Sequence, residues 1–495
     1  MDASHRNGVI ASLGVVLALL IGWDLAEGSF ALAVLVAVLV LLLVVNRALN
    51  LAPDLWVTGL ILVGYLIGNR GFAQLHPPNL PLLPAEFALG ISVLFGLWRW
   101  ARERRVPYRP DTLNACVLLW LVFATLRLPL DFRATGFVAI RDFAMVYYAV
   151  FFFLAQDWSQ SGENRRFLER ALIGGLALTT PAFWAFSLAP EWIERHIAIA
   201  GTPLLYVKSD VAGGFMAGAV FVFVERYSVR RRAAWILLAS VSLAGVATSN
   251  SRAAGVALFA GLIWLVVLRR WAAIRIVAAL IAIGIVGLVG QAVVTRAPLT
   301  TTPLYRGYEA VVSIGDIHGV RTYRSAELGD KPDNNQFRTV WWETVAADTW
   351  REGRWFGLGF GHDLAEDFLR VYAPDGDEQF TARSPHNFLL SNFARMGMVG
   401  ALLLFAQIAA LGWKTRQSKE IVDPEAATPA LAWWLLAWSI LISACFGVVL
   451  EGPMAAAVFW TALGLANAKN CIGGRAKINE PGGLEAQPAR LTRAA

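Results

Sequence analysis

Long apolar runs recur along most of the chain. They fall near residues 8–22, 29–46, 54–69, 84–100, 111–129, 137–156, 167–188, 209–225, 233–249, 252–268, 274–294, 386–411, 430–450 and 453–468. A helix that crosses a bilayer unaided needs ~20 apolar residues. Some of these runs are shorter, so the pattern predicts an all-α polytopic membrane protein with about 12–14 transmembrane helices. The rhythm breaks at one place, the polar stretch 295–385. Its start, Arg296 to Pro303, is rich in Thr and Pro, and Lys331-Pro332-Asp333-Asn334-Asn335 has the composition of a turn. Gln336 to Trp350 then sets Phe337, Val340, Trp341 and Val345 at helical spacing, with Arg338, Glu343 and Asp348 between them. That pattern predicts an amphipathic helix lying on the membrane surface. Gly357-Leu358-Gly359-Phe360-Gly361 reads as a flexible turn, and Asp363 to Tyr372 as a second short helix. The expected organisation is therefore N-terminal membrane helices over 1–294, a helical lid over 295–385, C-terminal membrane helices over 386–468 and a flexible tail over 469–495.

Composition agrees: 57% of residues are hydrophobic and 16% charged, and the mean hydropathy is +0.53. A soluble core is excluded on those grounds. Orientation follows from the short loops, because Lys and Arg are retained in the cytoplasm. Clusters such as Arg99 to Arg109, Arg165 to Arg170 and Arg226 to Arg232 occupy alternate loops. The intervening ones hold scattered cations: Arg70, Arg127, Arg133, Arg195, Lys208 and Arg252. Both termini are expected inside, and 295–385 outside. The net charge of +7 reports this bias, not nucleic-acid binding. The first apolar run lacks a clear small-residue cleavage site and a second follows closely, so an uncleaved helix is expected in place of a signal peptide. Cys116, Cys445 and Cys471 offer no disulfide framework outside.

Chemistry-bearing residues gather on the expected outer face. In Ser384-Pro385-His386-Asn387 an imidazole stands at the mouth of a span, where it can accept a proton near neutral pH. The same position suits a capping or interfacial histidine. Arg252 opens a span after Asn250-Ser251. Its stem can snorkel, or its guanidinium can pair bidentately with phosphate oxygens. Arg141 lies near the outer end of a span, and an arginine at the bilayer centre costs about 2.5 to 3.5 kcal/mol on insertion scales. It reads equally as a phosphate ligand or as the partner of an acid on another helix. Asp375-Gly376-Asp377-Glu378 is first a turn, so neither a metal site nor a cofactor is expected. His362, His318 and His76 show no chemical pattern, and Trp341, Trp342, Trp350 and Trp355 suit interfacial anchoring.

Asn250-Ser251-Arg252, then Arg338-Thr339-Val340-Trp341-Trp342, Phe356-Gly357-Leu358-Gly359, and His386-Asn387 with Gly397 and Gly400 downstream resemble, in that order, the O-antigen ligase and polymerase superfamily. The likeness covers roughly residues 195–415. It implies a bacterial inner-membrane glycosyltransferase that takes a glycan from undecaprenyl diphosphate at the periplasmic face. The acceptor is then either lipid A core or a growing polysaccharide. It further implies His386 as the catalytic base, Arg252 on the diphosphate, and a second cation for which Arg195 and Lys208 compete, Arg195 slightly ahead. Arg141 is a third diphosphate candidate, and Asn387, Arg338 and Ser251 are supporting residues. Many relatives carry an acid just before the Gly-x-x-Gly turn, and here Arg395 takes that place. Rival readings are a flippase for lipid-linked glycans, although no paired halves are visible, and a protein O-oligosaccharyltransferase using the same donor.

Overall fold

The computed structural model describes residues 51–76, 82–104, 109–199, 201–249, 251–296, 331–372, 382–418 and 428–476, with isolated positions between 298 and 323. The runs at 8–22 and 29–46, the sequence Asp375 to Glu378, Asn250, His318 and the tail from 477 lie outside the described residues. The apolar runs that fall on described residues are helical over most of their length. The helices are α1 (Pro53–Ala73), α2 (Pro84–Glu103), α3 (Thr112–Thr135), α4 (Phe137–Asp142), α5 (Ala144–Tyr147), α6 (Val150–Trp158), α7 (Gly162–Leu188) and α8 (Pro190–His196). A small antiparallel hairpin, β1 (Ala198–Ile199) and β2 (Thr202–Pro203), leads into α9 (Ser209–Val229), α10 (Ala233–Thr248), α11 (Arg252–Val267) and α12 (Trp271–Thr295). The polar stretch contributes α13 (Lys331–Glu352) and α14 (Glu366–Tyr372), and α15 (Phe388–Gln417), α16 (Ala430–Ala444) and α17 (Pro453–Ala476) complete the bundle.

Among the described residues, α1, α3, α7, α12 and α15 are long and apolar enough to cross a membrane, and α4–α6 add one span bent by 40°. Helices α10, α11, α16 and the first part of α17 are apolar but shorter. This is an all-α polytopic membrane protein. Helix α9 is its axis: every residue from Val211 to Arg226 is buried, as befits a helix apolar on all sides. Three glycines let its neighbours close on it. A Cβ at Gly213 would lie 2.7 Å from that of Ala254 on α11, and one at Gly218 would lie 2.4 Å from Leu436 Cδ1 on α16. Small residues at such contacts are how membrane helices approach closely. Here they bring the starts of α9 and α11 and the end of α16 to one end of the bundle. Helix α12 is the outlier, with Ile283, Val286, Val293 and Val294 exposed, a surface suited to lipid.

Three sequence expectations need correction. The amphipathic helix does not lie on the membrane surface by its apolar stripe. Trp341 and Val345 are buried with Leu364, Ala365 and Phe368 of the α14 region and Ala394 of α15, because a folded aromatic cluster removes more of this surface from water than a headgroup layer does. The backbone at Lys331 to Asn335 is the start of α13, not a turn. Proline is at home there, since the first helical turn leaves its N–H groups unpaired in any case. Finally, Gly357, Gly359 and Gly361 form a clamped turn and not a flexible one.

The clamp draws on residues of three helices. The φ angles of these glycines are +83°, +100° and +91°, values that glycine adopts without steric penalty. Leu358 N donates to Ala394 O (2.7 Å), Phe360 N to Asp131 Oδ2 (2.9 Å) and Gly361 N to Asp142 Oδ2 (2.9 Å). Arg127 donates to the carbonyls of Phe356 and Gly357 and pairs with Asp131 at 3.0 Å. Gly397, at φ +65°, breaks α15 where Trp355 and Phe356 press against it. Arg127, Asp131 and Asp142 therefore hold the glycine turn to the bundle.

Candidate active site

The Ser-Pro-His-Asn segment divides its tasks residue by residue. Asn387 caps α15, its Oδ1 accepting from Leu389 N (3.1 Å) and Leu390 N (3.2 Å), so the capping role belongs to Asn387 and not to His386. Pro385 O accepts from Trp342 Nε1 at 2.6 Å. His386 itself sits at φ +55°, an uncommon conformation for a side-chain-bearing residue and one that recurs at functional sites. Its ring lies 5.7 Å from that of Trp341, so the lid helix α13 forms one wall. Trp341 and Trp342 are thus structural. Trp350 and Trp355 stay exposed and retain the anchoring reading.

Cations surround this imidazole. Burial, then the charges of Lys208 and Arg338, push the His386 pKa down to about 4, with Asp210 acting the other way. Lys208 stands at the N-cap of α9, 3.2 Å from Asp210 Oδ2. It is placed by a tight splice in which Asn69 Oδ1 accepts from Lys208 N (3.1 Å) and Gly71 N donates to Tyr206 O (3.2 Å). A Cβ at Gly71 would lie 2.5 Å from Pro203 O. Asp210 is locked in turn by Gly447, where a Cβ would meet its Oδ2 at 2.3 Å. Arg338 reaches across from α13 to Phe446 O (3.0 Å). Burial and the nearby charge of Arg252 hold its guanidinium below the ordinary arginine range, with Asp210 opposing. Arg252 starts α11, with Ser251 as N-cap accepting from Ala254 N, and Asp316 and Tyr323 of the lid are within its electrostatic reach.

The structure thus brings together His386, Lys208, Arg338 and Arg252, from four separate stretches of chain. It does not bring Arg195 to them. That residue lies on α8 with 74% of its side chain exposed, in an ion pair with Glu191 at 3.1 Å. Lys208 is the cation whose charge reaches His386. Arg141 belongs to a different place, a cavity of about 190 Å³ shared with Asp142, Arg383, Ser384, Ser391, Arg395 and Glu451.

Arg395, in the position where relatives often carry an acid, is buried and structural. It pairs with Asp142 at 2.8 Å and donates to the carbonyls of Gly359 and His362, so it ties α15 to α4 and to the glycine turn. A carboxylate nevertheless reaches the same region from another element. Glu451, in the link between α16 and α17, accepts from Ser391 Oγ at 2.7 Å, and Ser391 Oγ lies 3.1 Å from Ser384 Oγ. Burial raises the Glu451 pKa. Sequence reasoning missed both Glu451 and Asp210. The available signal was an acid at the mouth of an apolar run, the same kind of position as the candidate cations.

These features define a multi-pass membrane protein with cations gathered around a half-buried imidazole. Residues 236–405 match the family model described as O-Antigen ligase, which supports membership of the O-antigen ligase/polymerase superfamily. That family indicates a glycosyltransferase/ligase-type membrane enzyme and implies, in general terms, lipid-linked glycan and acceptor partners. The matched segment includes Arg252, Arg338 and His386, whereas Lys208 precedes it and Glu451 follows it. No curated protein matches the chain.

Proposed function

We propose that the protein transfers a glycan from undecaprenyl diphosphate to a hydroxyl of lipid A core or of a growing polysaccharide, at the periplasmic face of the bacterial inner membrane. The observation that carries this reading is that the charges of Lys208 and Arg338 bear on His386 while Arg252 lies within electrostatic reach of Arg338. Three cations hold the diphosphate, whose charge rises as its bond to the anomeric carbon breaks. The acceptor oxygen attacks that carbon from the opposite side, its proton passes to His386, and the lipid diphosphate leaves, so the anomeric configuration inverts. No metal is needed in this scheme, because the guanidinium and ammonium groups supply the positive charge.

The low pKa of the free site has a use in this cycle. His386 enters neutral and able to accept a proton, but as a weak base while Lys208 and Arg338 face it bare. A bound diphosphate offsets those charges and raises the basicity of the imidazole where the acceptor's proton must go. Proton acceptance is thus coupled to occupancy by donor.

The test is His386→Ala in the native host, with surface glycan and protein level followed together. Loss of attached glycan with long lipid-linked polymer retained is the ligase outcome, and accumulation of single repeats is the polymerase outcome. Normal glycan length and attachment at normal protein levels would remove His386 from the chemistry. Transfer by the purified protein in detergent, where no compartments exist, separates an enzyme from a flippase.

A further inference from the structure

The cavity that holds Arg141 is distinct from the cation cluster, since neither Lys208, Arg252 nor Arg338 lines it. Its volume of about 190 Å³ accommodates on the order of a dozen non-hydrogen atoms, given the ~10–15 Å³ that one water occupies on the same measure. That is the size of one pyranose ring. Its walls suit a sugar. Ser384 and Ser391 present hydroxyls, and Glu451 presents a carboxyl group that already accepts from Ser391. Ser384 is two residues before His386, so the cavity adjoins the proton acceptor along the same short loop.

Its charge is specific as well. Arg395 is paired with Asp142 (2.8 Å), and Arg383 with Asp363 (2.9 Å). Burial pushes Glu451 toward its uncharged form. Arg141 lines the cavity from an exposed position and has no ion pair or hydrogen bond among the described residues, so its guanidinium is open to a ligand. We propose that this cavity is the acceptor subsite and that it selects a saccharide bearing a negative charge. Arg141 binds the carboxylate or phosphate of that sugar bidentately. Ser384, Ser391 and Glu451 hold its hydroxyls so that one of them faces His386. The assignment rests on the reading of His386 as the proton acceptor.

Isothermal titration of the purified chain in nanodiscs tests it, with methyl glucuronide, glucose 6-phosphate and methyl glucoside as acceptor-side probes and inorganic pyrophosphate as the donor-side probe. At least one anionic sugar is expected to bind ten-fold or more tightly than methyl glucoside. Arg141→Gln abolishes that preference and Arg141→Lys keeps part of it, while both still bind pyrophosphate. Stronger binding of the glucuronide identifies a uronic acid as the selected group, and stronger binding of the phosphate identifies a phosphorylated sugar. Equal binding of charged and neutral sugars, an Arg141→Gln variant that binds like the parent, or displacement of the anionic sugar by pyrophosphate would overturn the assignment. The donor reading fails separately, if pyrophosphate binding is absent or survives Arg252→Gln.

Discussion

Replacing Lys208 by Met and Asp210 by Asn should move the proton affinity of His386 in opposite directions. The fall of its pKa from the usual 6.5 to about 4 corresponds to a bias of roughly 3 kcal/mol against the imidazolium. Burial is the largest cause and survives either substitution, so neither variant should recover an ordinary histidine. Lys208→Met removes a cation and also releases Asp210 from its 3.2 Å ion pair, and both changes favour the protonated ring. A nearby unit charge shifts a partly buried group by about one to three pKa units. The His386 midpoint should therefore rise by about one pH unit or somewhat more. Asp210→Asn takes away the acid that opposes these cations at His386 and breaks its ion pair with Lys208, so the midpoint should fall below that of the parent. The assay is the pH dependence of diethyl pyrocarbonate modification, which requires the neutral ring, read at the His386 peptide by mass spectrometry. Adding methylene diphosphonate should raise the parent's midpoint. A parent midpoint near 6.5, or movement of both variants in the same direction, would refute the electrostatic account and with it the coupling of proton acceptance to donor binding.

Other perturbations probe the scaffold. Asp142→Ala leaves the buried Arg395 without its counter-ion, which should cost about 3–5 kcal/mol. A marked loss of thermal stability by fluorescence-detected chromatography is expected, with partial recovery when Arg395→Met is added. Gly397→Ala should be far more damaging than Gly136→Ala although both glycines have φ +65°. A Cβ at 397 meets Trp355 C at 2.4 Å, whereas one at 136 meets nothing within 4 Å; equal melting temperatures would contradict this packing. Asn387→Ala should lose about 1 kcal/mol through the lost cap, and Asn387→Asp should retain it. A variant with normal melting but no glycan transfer would instead assign Asn387 to the chemistry. Gly71→Ala should disturb the splice that carries Lys208, weakening pyrophosphate binding more than global stability.

The membrane helices were legible along the chain because their signal is local: a run of apolar residues must be helical in lipid whatever its neighbours do. His386 and Arg252 were legible for a related reason, since a polar group at the mouth of an apolar run is conspicuous. Arg195 and Lys208 stood near each other in the same outer segment, and nothing local separates a cation held by Glu191 on an exposed helix turn from one turned inward by Asn69. The glycines at 357–361 show the same limit from the other side. Composition tells that the backbone adopts unusual angles there, but not whether Arg127, Asp131, Asp142 and Ala394 hold it in one of them.

By itself, then, the sequence determined the class of protein and its apolar helices, because these depend on hydropathy within one segment. Only the tertiary structure decided which of the chemistry-bearing residues meet. Close packing at Gly213 and Gly218 of α9 brings helix ends that are distant in the chain to one place. That convergence sets Lys208 and Arg338 against His386, gives Arg395 to Asp142, and brings Glu451 to the cavity at which Arg141 stands unpaired.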